Sequence, residues 1–585
     1  MPNVLFRTLT PLMLAAVLAA PLRAEVEVKV DTGAYLAARI AEAQNDFRSA
    51  AEWYSRAIES DTSNPQLLEG AALAEMAIGD FAVAAEAAGH LKGLNGPPNQ
   101  LAEFALLATE TEREDYAALL SAAEAGRDVG VLANALVTAW AKLGEGRISE
   151  ALEAFDALAA TKGLEAFGLY HKALAMASVG DFEGADEILS GRAAGPIFVM
   201  RRGIFAHAQI LSQLERNPDA LALLDRSFGT GPDPVVDALR LRLQAGEPVP
   251  FDTVKTARDG IAETFFSLAT ALNGEADPVY TLLHLRVASF LRPDHADARL
   301  LMADVLASLK QHELAVETYA SFAPEDPNHV NAEIGRAESL SSQGKTDAAI
   351  EALQGLARQY GDLVIVQFAL GDMLRNNDRF DEAEIAYTAA IDLRGAESPE
   401  DWVLYFYRGI CHEQSKDWAP AEADFRKALD LNPTQPQVLN YLGYGLIDRG
   451  EKLDEALGMI EKAVAGDPQQ GYIIDSLAWA FFKLGRYDEA LEPMERASLL
   501  EPVDPLVTDH LGDVYWMVGR KLEAQFQWRR ALSFEPTEKD AVRIQRKLDV
   551  GLDAVMAEEA AGDKVTETGN GASEAAETGA AGNGD

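Results

Sequence analysis

The side chains that could carry out chemistry are few, and their spacing does not suit it. Cys411 is the single cysteine of the 585-residue chain, so no disulfide can close within it. It lies in GICHEQ with no evident cationic neighbour or helix N-terminus to favour the thiolate, and it reads as a small buried hydrophobe. The nine histidines are scattered without metal-ligand spacing. His412-Glu413 begins like a zinc-protease motif, but Lys416 stands where the second histidine ligand would have to be. There is no glycine-rich phosphate loop followed by Lys-Ser or Lys-Thr, and no Gly-x-Ser-x-Gly elbow. Acidic pairs such as Asp454-Glu455 and Asp488-Glu489 recur where a helix would start, and there they complement the positive end of its dipole. These residues predict no catalysis, no cofactor and no metal site. Recognition is the chemistry that remains, and it depends on the elements that present the side chains.

Between Trp402 and about Glu538 the chain repeats itself. Leu511, Gly512, Tyr515, Gly519, Ala524, Trp528, Ala531 and Pro536 lie 34 residues after Leu477, Ala478, Phe481, Gly485, Ala490, Met494, Ala497 and Pro502. Large, small and turn-forming residues at these offsets spell a helix, a tight turn and a second helix. Gly485 and Gly519 fall at the turn, where glycine adopts left-handed backbone at least cost. Ala478, Gly512, Ala490 and Ala524 fall where the paired helices come closest, so a large side chain there overpacks by roughly 1–3 kcal/mol. Pro502 and Pro536 end the second helix. Neither helix can bury its apolar stripe alone, so each unit must stack on the next.

The pattern resembles the tetratricopeptide repeat family over roughly residues 31–540. The resemblance implies an all-α, right-handed superhelical solenoid of helix-turn-helix repeats. Residues 25–234 form a degenerate N-terminal array: Phe47, Ala50, Tyr54 and Ala57 fit, the register fades between Gly96 and Gly130, and it returns at Trp140, Gly144, Ala151 and Phe155. Residues 235–261 are an irregular connector, either a bend or a distorted repeat, because prolines and glycines interrupt the helical spacing. Residues 262–538 form a regular array, with units beginning near Ala262, Ala296, Val330, Val364, Trp402, Pro436, Gly471 and Pro505. Residues 539–560 read as a capping helix and 561–585 as a disordered acidic tail.

Residues 1–24 read as an export signal cleaved after Ala24: Arg7 supplies positive charge and Leu9 to Ala20 an apolar run too short to anchor comfortably. No cysteine follows the cut, so the chain is not expected to be a lipoprotein, and the expected location is the periplasm of a diderm host. The formal charge of −42, from 51 basic and 93 acidic side chains, leaves no basic footprint for nucleic acid. It argues equally against direct binding to anionic lipid.

In the resembled family the first helix of each unit lines a concave channel. Carried onto this chain, the protein-binding positions are Phe406; Asn440, Tyr444 and Ile447; Tyr472, Asp475, Trp479 and Phe482; and Asp509, Asp513 and Trp516. The channel is aromatic with an acidic trim. Its rings either await a partner's apolar segment or pack between neighbouring helices. Tyr444, Asp475, Trp479 and Asp513 disfavour the family's grip on a terminal carboxylate through Lys and Asn; an unfolded, apolar or mildly basic segment fits better. More narrowly, FFSLATALNGE, LNYLGYGLIDRGEKLDEALGMIEKAV, IIDSLAWAFFKLGRYDEALE and DHLGDVYWMVGR resemble long exported bacterial repeat proteins. That group includes lipoprotein adaptors that hold a carboxyl-terminal processing protease and deliver cell-wall hydrolases to it. The resemblance implies a non-catalytic envelope scaffold or adaptor whose partners are proteins or peptides, such as a processing protease and its substrates. The alternative is a structural component of an envelope assembly or export machine.

Overall fold

The computed structural model describes residues 31–561 except 95–98, 194, 196–199, 230–232 and 396. The expected export signal lies outside the described residues, as does the expected tail beyond Ala561. Among the described residues every regular element is helical, and none of the helices is long and apolar enough to cross a membrane. The chain divides into two compact units, Met1–Ala349 and Ile350–Asp585, and the division falls inside the helix Thr346–Gln359.

Unit 1 opens with helix pairs. Thr32–Ala43 packs on Phe47–Ser60, Pro65–Ile78 on Phe81–Gly93, Val131–Gly144 on Ile148–Ala159 and Glu165–Ser178 on Phe182–Leu189. Asp46, Asp80, Asp115 and Asp181 begin second helices by accepting a backbone N–H in the first turn. Just before these and other second helices the chain takes one left-handed residue. Gly79 and Gly180 supply it cheaply, whereas Asn45, Glu114 and Glu215 supply it against an intrinsic cost of roughly 1–2 kcal/mol. The turn therefore persists where the glycine signal is lost, which is why the repeat fades in the sequence while the helix pairs continue.

The stretch 235–261 holds most of the helix Pro234–Gln244, an irregular run, and the start of the helix Ala257–Leu272. That helix starts five residues before Ala262, set by a capping box between Thr256 and Asp259. With Pro278–Leu291 it doubles back onto the first helices of the preceding pairs: Ala257–Leu272 lies against Val131–Gly144 and Glu165–Ser178, and Pro278–Leu291 against Pro65–Ile78 and Gln100–Glu112. Sequence supports this close approach. A Cβ on Gly260 would stand 2.2 Å from the Trp140 ring, so only glycine allows the two helices to touch there. Phe265 and His284 pack on Phe104 with ring centroids 5.7 and 5.0 Å away, Phe290 stacks on Phe81 at 4.4 Å, and Arg286 Nε donates to the Ala77 carbonyl at 2.7 Å. Nearly every side chain from Gly260 to Ser267 is buried. The inner face of unit 1 is filled by the chain's own helix pair. The stack continues through Ala296–Ser308, His312–Tyr319 and His329–Ser342.

Unit 2 repeats the pair more regularly: Val364–Arg375 with Phe380–Asp392, Trp402–Gln414 with Trp418–Leu431, Pro436–Arg449 with Leu453–Gly466, Gly471–Lys483 with Tyr487–Leu500, and Pro505–Met517 with Lys521–Leu532. Gly485 and Gly519 occupy the turns at φ +72° and +85°. A Cβ on Gly512 would lie 2.5 Å from Trp528, the close approach its position in the repeat requires. The extra residue after Gly450 is absorbed by two left-handed positions, Gly450 and Lys452, and the insertion before Trp402 forms the 3-10 turn Pro399–Asp401. The cap consists of two helices, Glu538–Val550 and residues 552–561, because Gly551 reverses the chain at φ +88°.

Candidate functional site

The first helices of unit 2 carry the side chains singled out from the sequence, and the structure sorts them into three groups. Asp509, Asp513 and Trp516 are taken by the chain's own C-terminal helices. The ammonium of Lys547, fully buried, donates to Asp509 and to both oxygens of Asp513 at 2.7 Å, and Trp528 Nε1 donates to Asp513 at 2.9 Å. Burial and repulsion from Asp513 push the Asp509 carboxyl up to about 6, against the pull of Lys547. Trp516 is half-buried against Gly551, and its Nε1 donates to Asp553 at 2.9 Å.

Asp475, Trp479 and Phe482 belong to the contact between successive repeats. His510 Nδ1 lies 3.0 Å from both oxygens of Asp475, while the Trp479 ring stacks on His510 at 3.9 Å and on Phe482 at 4.7 Å. Burial works against the imidazolium of His510, but Asp475, Asp509 and Asp513 outweigh it and raise its pKa. Phe406, Asn440 and Ile447 are also buried, with the Asn440 side-chain oxygen unpaired. All these positions were expected to line the channel, with the rings either open to a partner or packed between helices. They are corrected to interior ones for one reason: adjacent first helices approach closely enough to bury each other's flanks, so the packing alternative holds for Trp479 and Phe482.

Tyr472 remains at the open surface and Tyr444 is half-buried, and neighbours that the sequence reading left out join them. Tyr441 is 38 % exposed and Tyr472 40 %. The Tyr441 ring meets Phe406 edge-on at 5.3 Å, and Ile365 is exposed on the helix Val364–Arg375. Phe368 and Tyr407 lie 6.1 Å apart, with the Arg375 guanidinium 4.2 Å above the Tyr407 ring. Tyr407 and Tyr441 were legible as a pair, since they stand 34 residues apart. Carboxylates and the Arg375 guanidinium both act here. The Tyr444 phenol is held well above its ordinary value by burial, then by Asp475, Asp448 and Glu413 in turn; Tyr441 is raised by burial and then by Glu413. This surface can take up apolar groups and cations.

Among the described residues no group of His, Cys, Asp or Glu is arranged to hold a metal ion. Cys411 is buried, and burial pushes its thiol up to about 12, away from a reactive thiolate.

Stacked helix pairs joined by left-handed turns define a helical-repeat protein. The tetratricopeptide repeat profile matches residues 35–89, 283–330, 334–398 and 368–436, so these stretches are repeats of that type. It is similar to a TPR repeat-containing protein of Pseudomonas aeruginosa, 28% identical over 173 residues, covering 29% of this chain and 28% of that one. It is also similar to human tetratricopeptide repeat protein 13, 28% identical over 176 residues, covering 29% of this chain and 20% of the relative. The chain thus spans under a third of the length of these curated relatives. Among solved structures it resembles a chain of the Cut9-Hcn1 hetero-tetramer of the APC/C, at 14% identity and TM-score 0.38, covering 89% of this chain and 96% of that one. It also resembles YrrB, a TPR protein with an unusual peptide-binding site, at 17% identity and TM-score 0.27, covering 34% and 99%. Proteins of this family generally mediate protein–protein interactions.

Proposed function

We propose that the chain is a non-catalytic scaffold that recruits protein partners through the open inner face of unit 2, and that it acts as an adaptor in the cell envelope. The uncovered aromatic and acidic stretch from Ile365 to Tyr472 carries this reading, because rings left in water at the inner face of a repeat array are covered most favourably by a partner. In unit 1 the first helices Pro65–Ile78, Gln100–Glu112, Val131–Gly144 and Glu165–Ser178 are instead covered by residues 257–291. The leader-like residues 1–24 support export and cleavage after Ala24, hence a periplasmic location. The resemblance to protease adaptors makes a carboxyl-terminal processing protease and cell-wall hydrolases the partners to seek.

The test is capture from the host envelope with tagged wild type beside a Tyr441→Ala, Tyr472→Ala double variant. Recovery of a processing protease or hydrolases by wild type and their depletion from the variant supports the adaptor reading. Equal recovery of one defined membrane assembly by both proteins overturns it in favour of a structural component.

A further inference from the structure

The last second helix of unit 2, Lys521–Leu532, departs from the two before it on its outward face. Leu522, Phe526 and Arg529 stand where Tyr487–Leu500 carries Asp488, Glu492 and Glu495, and where Leu453–Gly466 carries Asp454, Gly458 and Glu461. Ala524, Trp528 and Ala531 hold the opposite side of the helix in the core, so Leu522, Phe526 and Arg529 form one outward stripe. Leu522 is 74 % exposed and Phe526 64 %. Arg529 is exposed and, among the described residues, forms no ion pair. Beside the stripe, Arg530 donates to the Pro502 carbonyl, which places the exposed Val503 next to it.

Exposure alone does not mark this place. Ile385 is 69 % exposed at the equivalent of Phe526 on the helix Phe380–Asp392, but there Asp381 keeps the acid one turn earlier. What sets Lys521–Leu532 apart is the loss of the chain's own sign of charge. A formal charge of −42 keeps copies of this molecule apart. A stripe in which Asp, Glu and Glu give way to Leu, Phe and Arg is a place where copies can meet.

The stripe is also complementary to itself. When two such helices lie antiparallel about a two-fold axis at Phe526, position 522 meets 530 and position 523 meets 529. Phe526 then covers its twin, Leu522 lies against the Arg530 stem and Val503 of the second copy, and Glu523 faces the second copy's Arg529. One oxygen of Glu523 accepts from Arg520 at 2.8 Å, and the other has no partner among the described residues.

We propose that two copies of this chain associate through the outward face of Lys521–Leu532, packed antiparallel about a two-fold axis at Phe526. Tyr441 and Tyr472 take no part, so the inference stands apart from the reading that unit 2 recruits partners on its inner face.

The full-length protein is sedimented over a range of concentrations in about 0.15 M salt, where repulsion beyond about 8 Å is screened. The chain should pass from its own mass to twice that mass. Leu522→Asp with Phe526→Glu restores the residues of the preceding repeat and should weaken association about tenfold or more. Ile385→Asp, at the same place in another repeat, should leave it unchanged. Arg529→Glu and Glu523→Arg should each weaken it about tenfold by setting like charges opposite one another, and the two together should restore it. Restoration is specific to pairing between copies, because positions six apart on one helix are not neighbours. Circular dichroism and melting of each variant establish that it folds. A single mass at every concentration overturns the proposal, as does a dimer indifferent to Leu522→Asp with Phe526→Glu. Equal loss with Ile385→Asp would reveal general repulsion and overturn it too, and failure of the double charge exchange to restore association overturns the two-fold pairing.

Discussion

The inner faces of the two units are made by the same repeat and end in opposite states. In unit 1 the first helices present Phe104, Trp140 and many alanines, and a second layer of helices lies on them, admitting Gly260 against Trp140. In unit 2 they present Tyr441, Tyr472 and carboxylates, and the middle stays uncovered while the last repeat is closed by Lys547. An alanine-rich face has few polar atoms to keep it in water, so the free energy of burial favours cover from the chain itself. A tyrosine-rich face with acids holds water at its hydroxyls and can remain open until a partner arrives. The repeat therefore dictates the fold of both units, and the side chains on its inner face decide which unit is free to bind.

The contrast is broken most severely at Glu263. This buried carboxylate joins Arg202 at 2.7 Å, His295 at 3.3 Å and the Tyr170 hydroxyl at 2.9 Å, tying the returning helix Ala257–Leu272 to helices Glu165–Ser178 and Arg201–Gln213. Glu263→Ala leaves Arg202 buried with Asp297 and the Thr253 carbonyl as its remaining partners, and should cost about 3–5 kcal/mol. Chemical denaturation with hydrogen exchange should show unit 1 opening early while exchange in unit 2 is unchanged. Uniform early exchange across both units would remove the distinction between them. Lys547→Ala is the counterpart at the end of unit 2, with a smaller cost of about 2 kcal/mol, because Arg543 stands 3.5 Å from Asp513 and Asp509 can take up a proton. Its readout is faster proteolysis confined to residues 538–561.

Mild acid should separate the units further, in opposite directions. Burial lowers His171 and His284 in unit 1 from 6.5 to about 4. Folded values below the unfolded one mean that the unfolded chain binds the extra proton, so their contribution is complete above pH 6.5 and is lost as pH falls toward 4. The loss is on the order of 1 kcal/mol per histidine per pH unit. At the end of unit 2, Asp509 is raised from 3.8 to about 6 by burial and Asp513, so its contribution is complete below pH 3.8 and is lost as pH rises through about 6. His510 is also raised, because Asp475 and its neighbours outweigh burial; its contribution is complete below 6.5 and is lost above its folded value. Between pH 7 and pH 5, exchange should therefore accelerate around residues 131–178 and 257–291 and slow around 505–550. Parallel changes in the two regions would contradict this assignment of charges.

How far the sequence foretold this follows from where each signal resides. Helix starts at Ala296, Val364, Trp402, Pro436, Gly471 and Pro505 were legible because caps, prolines and a fixed period are local properties. The return of residues 257–291 onto the inner face was not, since a repeat stacked in line and one folded back share the same period, and Glu263, Thr264 and Ser267 read as an ordinary polar side although the structure buries them. The candidate site was legible as a set of helices and only partly as residues. Trp479 and Phe482 carry the types expected of a binding surface, yet the depth at which neighbouring repeats meet decides their exposure. Lys547 was expected only as part of a cap, because the pairing of Asp509 and Asp513 with a residue more than thirty positions away leaves no periodic trace.

The smallest effect on stability should come from the substitutions that matter most for binding. Tyr441→Ala and Tyr472→Ala remove rings that are 38 % and 40 % exposed, so each should cost under about 1 kcal/mol. Trp479→Ala instead opens a space beside His510 and Phe482, where truncating a buried aromatic costs about 3–5 kcal/mol. Melting of the single variants separates the two positions, and capture of partners then ranks them by function. The tyrosine variants should melt within a few degrees of wild type while losing partners, which a purely structural surface would not do. Trp479→Ala should destabilise unit 2 and lose partners only to the extent that the unit unfolds, so raising its folded fraction by lowering the temperature should restore capture. Restoration for the tryptophan variant and none for the tyrosines would distinguish a ring that holds the repeats together from rings that meet the partner.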